Sequence, residues 1–205
     1  GVAAFVSGIA MGLGILCRDA LLGFVPFLMP VLFCLEEKGR FKRMVLLAMG
    51  AFCVVFPWTL RNYFHFGKLV PVTTKTGLNL YEALGPGATG AIRSTEMRLP
   101  PEAEPLPLLE KDSFLTRWTL KYAFEHPGDT LWLAFVKMGR FWNPGLNDAQ
   151  LKSHKAAHVV FIFFNALVYP FAMWGLCNIS GKKVVYLLAP IAYFTLMHCV
   201  FIGSV

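Results

Sequence analysis

Two arginines at the ends of long apolar runs are the residues best suited to chemistry in this chain. Arg18, followed by Asp19, separates the first apolar run from the second, and Arg61 follows the third, shortly after Pro57 and Trp58. Ionisable groups beside membrane segments are costly and often functional, and a guanidinium can bind phosphate oxygens in a bidentate manner. Both arginines are therefore candidate cations for a lipid phosphate. Two simpler interpretations stay open: a salt bridge between Arg18 and Asp19 at an ordinary turn, and a charged helix-end anchor at Arg61.

The composition indicates a membrane protein. The 205 residues are 56% apolar and 15% charged, whereas soluble domains average about 45–50% apolar and about 25% charged residues. Together with a mean hydropathy of +0.56, these values exclude a soluble enzyme, a disordered chain, a disulfide scaffold and a coiled coil. Several of the cations behind the net charge of +7 flank apolar runs. We interpret them as a topology signal and predict no nucleic-acid partner.

Five apolar windows without charges predict an all-α, polytopic transmembrane helix bundle of about five spans. The windows are residues 1–17, 20–35, 44–60, 156–181 and 184–205. A complete span needs about 20 residues, so the last two windows qualify and the first three are marginal. We expect three spans within residues 1–60 and two within residues 156–205. Gly8 and Gly12 form a GxxxG pattern in the first window, which favours close helix packing.

The short loops predict the orientation of the chain. The loop of residues 36–43 carries four cations and residues 180–183 carry two, which places both on the cytoplasmic side. Residues 61–155 then form one long loop on the outer face of the membrane, periplasmic or lumenal. We expect a multi-pass protein of the bacterial plasma membrane, with membrane lipid as its surroundings.

Two amphipathic helices are predicted inside the long loop. Residues 113–126 carry aromatic side chains at helical spacing (Phe114, Trp118 and Tyr122), with Asp112 or Ser113 as the N-terminal cap. Residues 131–142 are apolar except for Lys137 and Arg140. Twelve residues at about 1.5 Å each reach only ~18 Å, so this helix should lie flat in the interface. Trp142 belongs at headgroup depth there.

Two further sequence patterns are only weak evidence for a binding site. Residues 85–90 read GPGATG, a literal GxGxxG, but the next segment is polar and proline-rich. A dinucleotide site needs a preceding strand and a following helix, so we expect a turn-rich loop. His154 and His158 have zinc-binding spacing, although no third ligand is nearby. We therefore predict no metal site and no cofactor.

Three blocks resemble, in order, those of the GT-C superfamily of lipid-linked-sugar glycosyltransferases. The similarity is to the branch of dolichyl-phosphate-mannose–protein mannosyltransferases and their bacterial relatives. The blocks are GIAMGLGILCRDALLGFVPFL (8–28), PWTLRNYFHFGKLVPVTTKTGLNLYEALGPGATG (57–90) and EHPGDTLWLAFVKMGRFWNP (125–144). The chain has Asp19 where that family usually has proline.

The resemblance implies a sugar transfer at the outer face, from a polyprenyl-phosphate carrier to a protein, lipid or glycan acceptor. It places the catalytic carboxylate before Gly1, so no catalytic residue is expected in this interior fragment, which alone should be inactive. Arg18 and Arg61 would stabilise the leaving phosphate. Asn62 and Asn79 would hydrogen-bond sugar or phosphate. The lipid-linked sugar is a substrate, and a divalent metal requirement stays open.

The resemblance also implies that Lys137 and Arg140 touch headgroups or the carrier.

Two other classes of function stay open. Broken helices and the Arg18–Asp19 pair also suit a transporter or channel subunit, and a non-catalytic membrane scaffold is a third possibility. Transporters often contain internal repeats, which we do not find in this sequence. The outer loop of about 95 residues, far longer than the usual connection of about 4–6 residues, favours an enzyme.

Overall fold

A computed structural model describes residues 1–35, 39–91, 97–145, 147, 155–179 and 181–201, and all regular structure in those ranges is helical. This confirms the all-α prediction. The helices are α1 (Val2–Cys17), a 3₁₀ helix (Asp19–Gly23), α2 (Phe24–Leu35), α3 (Arg40–Phe66), α4 (Thr76–Leu84), α5 (Leu108–Glu125), α6 (Pro127–Phe141), α7 (Lys155–Asn178) and α8 (Lys182–Val200).

The helices form two compact units, which are described separately. The first unit comprises Gly1–Thr74 and Val185–Tyr193, and the second comprises Lys75–Val184 and Phe194–Val205. The central part of α8 thus belongs to the first unit and its two ends to the second.

Three helices are long and apolar enough to cross a membrane. They are Phe41–Phe66, Lys155–Asn178 and Lys183–Val200, while the helical stretches Val2–Cys17 and Asp19–Phe33 are shorter. The apolar side chains of α7 are largely exposed, including Phe163 at 66% and Trp174 at 68%. Exposed apolar surface on such a scale, on a helix long enough to span a bilayer, is typical of a helix that lipid covers. The chain is therefore a membrane protein.

The third predicted span is longer in the structure than its apolar window of residues 44–60. Helix α3 begins at Arg40, contains Pro57 in its interior and ends at Phe66. Lysine and arginine are good helix formers, and their long side chains can reach water from within a membrane helix. Charges at both ends therefore extend α3 instead of ending it. Gly67 then ends the helix with a φ of 66°, a left-handed conformation that suits glycine.

Close packing of α1 on α3 forms the centre of the first unit. A Cβ atom on Gly12 would lie 2.7 Å from Val54 Cβ, and one on Gly8 would overlap the carbonyl oxygen of Leu47. Gly50 on α3 approaches α1 equally closely. The GxxxG pattern is therefore confirmed as a helix-packing motif, since only glycine permits this approach.

The turn between α1 and α2 is anchored by an aromatic cluster. The hydroxyl of Tyr193 on α8 donates a hydrogen bond to the carbonyl of Ala20. The rings of Phe24 and Phe27 pack on Tyr193 at centroid distances of 5.1 and 5.3 Å. This cluster fixes the backbone directly after Arg18.

Helices α4 and α5 pack together in the second unit, and Asp112 links them. Helix α5 begins at Leu108, earlier than residue 113, and no side chain caps its start. The predicted capping of α5 by Asp112 is therefore wrong. Instead, the Asp112 carboxylate accepts a hydrogen bond of 2.6 Å from the Gly77 N–H, in the first turn of α4. Burial raises the pKa of Asp112, against the opposing effect of the Gly77 and Leu78 N–H groups.

Helix α6 begins at Pro127, four residues before the predicted start at residue 131. Proline suits the first helical position, where its missing N–H would have no partner. Leu133 of α6 packs in a buried cluster with Leu80 and Leu84 of α4. This contact holds α6 against the turn that follows α4.

Candidate functional site

The structure divides the predicted site residues between the two units. Arg18, Arg61 and Asn62 belong to the first unit, whereas Asn79, Lys137, Arg140 and Trp142 belong to the second. Each set is therefore considered by itself.

The last turns of α3 hold the chain segment that follows the helix. Three side chains donate hydrogen bonds to three consecutive carbonyls: Asn62 Nδ2 to Val70 (3.0 Å), Thr59 Oγ1 to Pro71 (2.9 Å) and Trp58 Nε1 to Val72 (3.3 Å). Such bonds satisfy carbonyls of the irregular segment of residues 70–72 in place of regular secondary structure. The PWTLRN block thus has a local structural function.

Arg61 is held in place but remains exposed. Its Nη1 donates a hydrogen bond of 3.1 Å to Asn62 Oδ1, and its Cζ lies 5.1 Å from the centroid of the Trp58 ring. These contacts orient the guanidinium through a hydrogen bond and a cation–π interaction. The side chain still faces solvent, so its other N–H groups can bind an anion.

Asn62 positions Arg61 and has little capacity for a ligand of its own. The residue is 3% exposed. Its Nδ2 is bonded to Val70 and its Oδ1 accepts from Arg61. The sequence predicted that Asn62 donates a hydrogen bond directly to sugar or phosphate. In the structure it has a supporting role instead, which depends on the Val70 carbonyl, eight residues further along the chain.

The length of α3 between Arg43 and Arg61 is close to the thickness of a bilayer's hydrocarbon core. Arg43 and Arg61 are about 18 residues apart in one helix, which corresponds to ~27 Å at about 1.5 Å per residue. The hydrocarbon core of a bilayer is about 30 Å thick. When Arg43 lies at one boundary, Arg61 lies near the other.

Arg18 lies in an extended linker between α1 and the 3₁₀ helix, and its side chain is exposed. Both Arg18 and Asp19 are among the described residues, and no ion pair joins them there. Asp19 opens the 3₁₀ helix, where a carboxylate complements the helix N-terminus. The simpler interpretation of a mutual salt bridge therefore has no supporting contact.

Lys137, in the second unit, is fully buried. Its Nζ donates a hydrogen bond of 2.9 Å to the carbonyl of Val200, at the end of α8. Carbonyls at a helix end lack partners within the helix and carry partial negative charge, so this contact stabilises the cation. Burial lowers the pKa of Lys137 to about 8. The lysine therefore connects two helices and does not project towards headgroups.

Arg140 lies one turn after Lys137 and is partly buried. Its Nε has no hydrogen-bond partner among the described residues. Gly90, with a φ of 77°, packs against both cations: a Cβ there would lie 3.2 Å from Lys137 Cγ and 3.6 Å from Arg140 Cδ. Gly90, the last residue of the GPGATG segment, therefore packs closely against α6.

Trp142 and Asn79 occupy different environments in the second unit. Trp142 is 44% exposed, with Tyr169 at a ring-centroid distance of 6.3 Å. It continues an exposed apolar stripe on α6 formed by Leu131, Phe135 and Met138. Asn79 lies on α4 and is partly buried. The interfacial role of Trp142 and the ligand role of Asn79 stay predictions.

The GPGATG segment is a turn, as expected, and does not have the surroundings of a dinucleotide site. It follows helix α4, which ends at Leu84, and the next helix begins only at Leu108. His158 lies on α7, whereas His154 is outside the described residues. Among the described residues, no three potential metal ligands are grouped together.

Comparison with known proteins gives no relatives from which to transfer a function: no family model, curated protein or solved structure matches the chain. The residues that sequence reasoning missed are the supporting ones. Trp58 precedes Arg61 by three residues, a spacing at which side chains are neighbours on one helix face, so its contact with Arg61 was detectable. The contact of Thr59 with the Pro71 carbonyl has no such local signal.

Proposed function

We propose that this chain belongs to a membrane glycosyltransferase that moves a sugar from a polyprenyl-phosphate donor to an acceptor on the outer face. The observation that carries the proposal is the environment of Arg61. A guanidinium at the end of a membrane-spanning helix is oriented by Trp58 and Asn62, yet is exposed. A preorganised cation at this depth is suited to the phosphate of a lipid carrier.

In the proposed reaction, the acceptor oxygen attacks the anomeric carbon of the sugar. The bond from that carbon to the phosphate oxygen breaks, and the electron pair leaves with the polyprenyl phosphate. Arg61 stabilises the resulting negative charge through its planar N–H groups. A carboxylate takes the acceptor proton in this reaction, as the family resemblance implies.

The proposed membrane arrangement has five spans. Helices α3, α7 and α8 are the complete spans, and α1 and α2 act as short spans packed with α3. In a bacterial plasma membrane, residues 61–155 lie on the periplasmic or extracytoplasmic side, and the loop of residues 36–43 faces the cytoplasm. This orientation puts Arg18 and Arg61 on the same side as the sugar donor.

The remaining candidates have supporting roles in this proposal. Arg18 is a second cation for the phosphate, and Asn79 hydrogen-bonds sugar or phosphate. Arg140, which is only partly buried, contacts a headgroup or the carrier, and Trp142 anchors α6 in the interface. Lys137 holds α6 to the end of α8. The lipid-linked sugar is the donor substrate in this proposal.

The test replaces Arg61 in the full-length protein. Arg61→Ala should reduce sugar transfer by about 10²–10³-fold, the usual loss when one preorganised donor is removed, with thermal stability retained. Arg61→Lys should recover part of the rate, because a point charge lacks the bidentate geometry.

The matched control is Arg117→Ala, which removes an exposed arginine from α5 and should leave the rate unchanged. Wild-type turnover in Arg61→Ala would remove Arg61 from the site. An equal rate loss in Arg117→Ala would show that any loss of positive charge lowers activity.

A further inference from the structure

A cleft of about 260 Å³ lies in the second unit, between the turn of residues 85–89 and helices α5 and α6. Its lining combines two aromatic rings, one carboxylate and two threonine hydroxyl groups, contributed by Tyr122, Trp132, Asp129, Thr89 and Thr130. The volume is below the roughly 300–1,000 Å³ of pockets for drug-sized ligands. The cleft therefore suits a ligand about the size of one ring.

The walls of the cleft are formed by well-anchored backbone. Gly85 ends α4, and Gly87 continues the turn with a φ of 70°. The Ala88 N–H closes the turn by donating a hydrogen bond of 3.0 Å to the Gly85 carbonyl. Both glycines line the cleft, and a Cβ on Gly85 would lie only 2.5 Å from the Tyr81 carbonyl oxygen.

The polar groups of the cleft differ in their availability. The Thr130 hydroxyl is bonded to the carbonyls of Ala123 and His126. Tyr122 is stacked against His126 at a centroid distance of 4.3 Å. By contrast, Asp129, Thr89 and the ring of Trp132 are exposed. The Asp129 carboxylate, the Thr89 hydroxyl and the face of the Trp132 ring are thus available to a ligand.

From this set of groups we infer that the cleft binds one pyranose or furanose ring of a carbohydrate. A carboxylate is a pure acceptor with two oxygens, which suits the neighbouring hydroxyl donors of a sugar. The apolar C–H face of the ring packs on Trp132, an aromatic side chain with a large amphipathic surface. Asp129 also complements the N-terminus of α6, but that role leaves its outer oxygen lone pairs unused.

The position of the cleft on α6 indicates how the sugar arrives. Helix α6 turns by about 100° per residue. On its circumference, Trp132 therefore separates two sets of residues: the cleft residues Asp129 and Val136 on one side, and the exposed apolar residues Leu131 and Phe135 on the other. The cleft therefore opens beside a helix face suited to lipid. On the proposed function, on which this step rests, the ring belongs to a lipid-linked sugar.

The test is saturation-transfer NMR on the full-length protein in lipid nanodiscs, without sugar-based detergent. The probes are methyl mannoside, methyl glucoside, methyl galactoside and methyl arabinoside. At least one should receive magnetisation from the wild-type protein. Asp129→Asn and Trp132→Ala should each weaken that binding about 10- to 100-fold, as expected for loss of a charge-assisted hydrogen bond or a hot-spot ring.

Two matched variants act as controls. Phe124→Ala removes an aromatic side chain that is 82% exposed on α5, and Glu102→Gln removes an exposed carboxylate. Neither residue lines the cleft, so both variants should bind as the wild type does. A short-chain prenyl-phosphate mannoside should displace the methyl glycoside if the ring comes from the donor. Binding without displacement would assign the ring to a glycan acceptor.

Absence of transfer to all four glycosides would overturn the inference, as would unchanged binding in both cleft variants. The readout is binding and not turnover, so the outcome is independent of the proposed function. Sugar binding in a protein without transferase activity would uphold the cleft and refute the function. Transferase activity that is unchanged by the cleft variants, with no glycoside bound, would uphold the function and refute the sugar-binding cleft.

Discussion

Replacing the buried Lys137 by methionine should remove most of the pH dependence of stability above neutral pH. Burial lowers the pKa of this lysine from 10.5 to about 8, so the unfolded chain binds the proton more tightly than the folded protein. Stability contributed by this residue must then rise as the pH increases from about 8 towards 10.5. Below pH 8 the whole cost of burying the charge is present.

The size of the effect follows from the two pKa values. A lowering from 10.5 to about 8 corresponds to a cost of about 3 kcal/mol at pH 7, because one pKa unit is worth about 1.4 kcal/mol. Between pH 7 and pH 9.5 roughly 2 kcal/mol of this cost should be relieved. For a chain of this size the wild-type melting temperature should rise by about 4–8 °C relative to that of Lys137→Met.

The absolute stability of Lys137→Met at pH 7 should change little. Methionine removes the buried charge but also leaves the Val200 carbonyl without its donor, which costs about 1–3 kcal/mol. The assay is therefore the melting temperature at pH 7 and at pH 9.5, with Lys121→Met as control. The Lys121 side chain is 75% exposed, so its replacement should preserve the wild-type pH response. An equal pH response in Lys137→Met and the wild type would refute the buried cation.

Three other changes test the packing and the topology. Gly12→Ala should destabilise the protein by about 1–3 kcal/mol through overpacking, whereas Gly175→Ala, with no atom within 4 Å of the new Cβ, should not; equal melting temperatures would contradict the contact. Asp112→Ala should cost about 1 kcal/mol through loss of the hydrogen bond from the Gly77 N–H in the first turn of α4, and Asp112→Asn less, as measured by thermal unfolding. In a cysteine-free background, cysteines at positions 40 and 88 should react with impermeant reagents from opposite faces; reaction from one face would contradict the proposed orientation.

The helices follow from hydropathy and local propensity, and the sequence could predict them. The long apolar windows near α7 and α8 identify membrane helices without any tertiary information. The helix ends are less predictable, because terminal charges can extend an apolar window and proline can open a helix. Helix α3 extends from Arg40 to Phe66 because charged residues continue it beyond the apolar window, and α6 begins early because Pro127 opens it.

The candidate site was predictable only for residues whose chemistry shows locally. Arg61 was identified from its position after an apolar run. Asn62 could not be given its role, because its partner is the carbonyl of Val70 in an irregular segment. Lys137 could not be recognised as buried, because the Val200 carbonyl it contacts is 63 residues away. Contacts of this kind depend on tertiary packing, on which local spacing carries no information.

The most direct test of the proposed function is the release of free polyprenyl phosphate by the full-length protein. The protein is reconstituted in proteoliposomes with a panel of polyprenyl-phosphate sugars and a membrane extract as the source of acceptors. The account predicts that one donor is consumed, that polyprenyl phosphate appears in equal amount with glycosylated acceptor, and that Arg61→Ala slows both. Intact donors throughout, with the wild-type protein folded and correctly oriented, would contradict it.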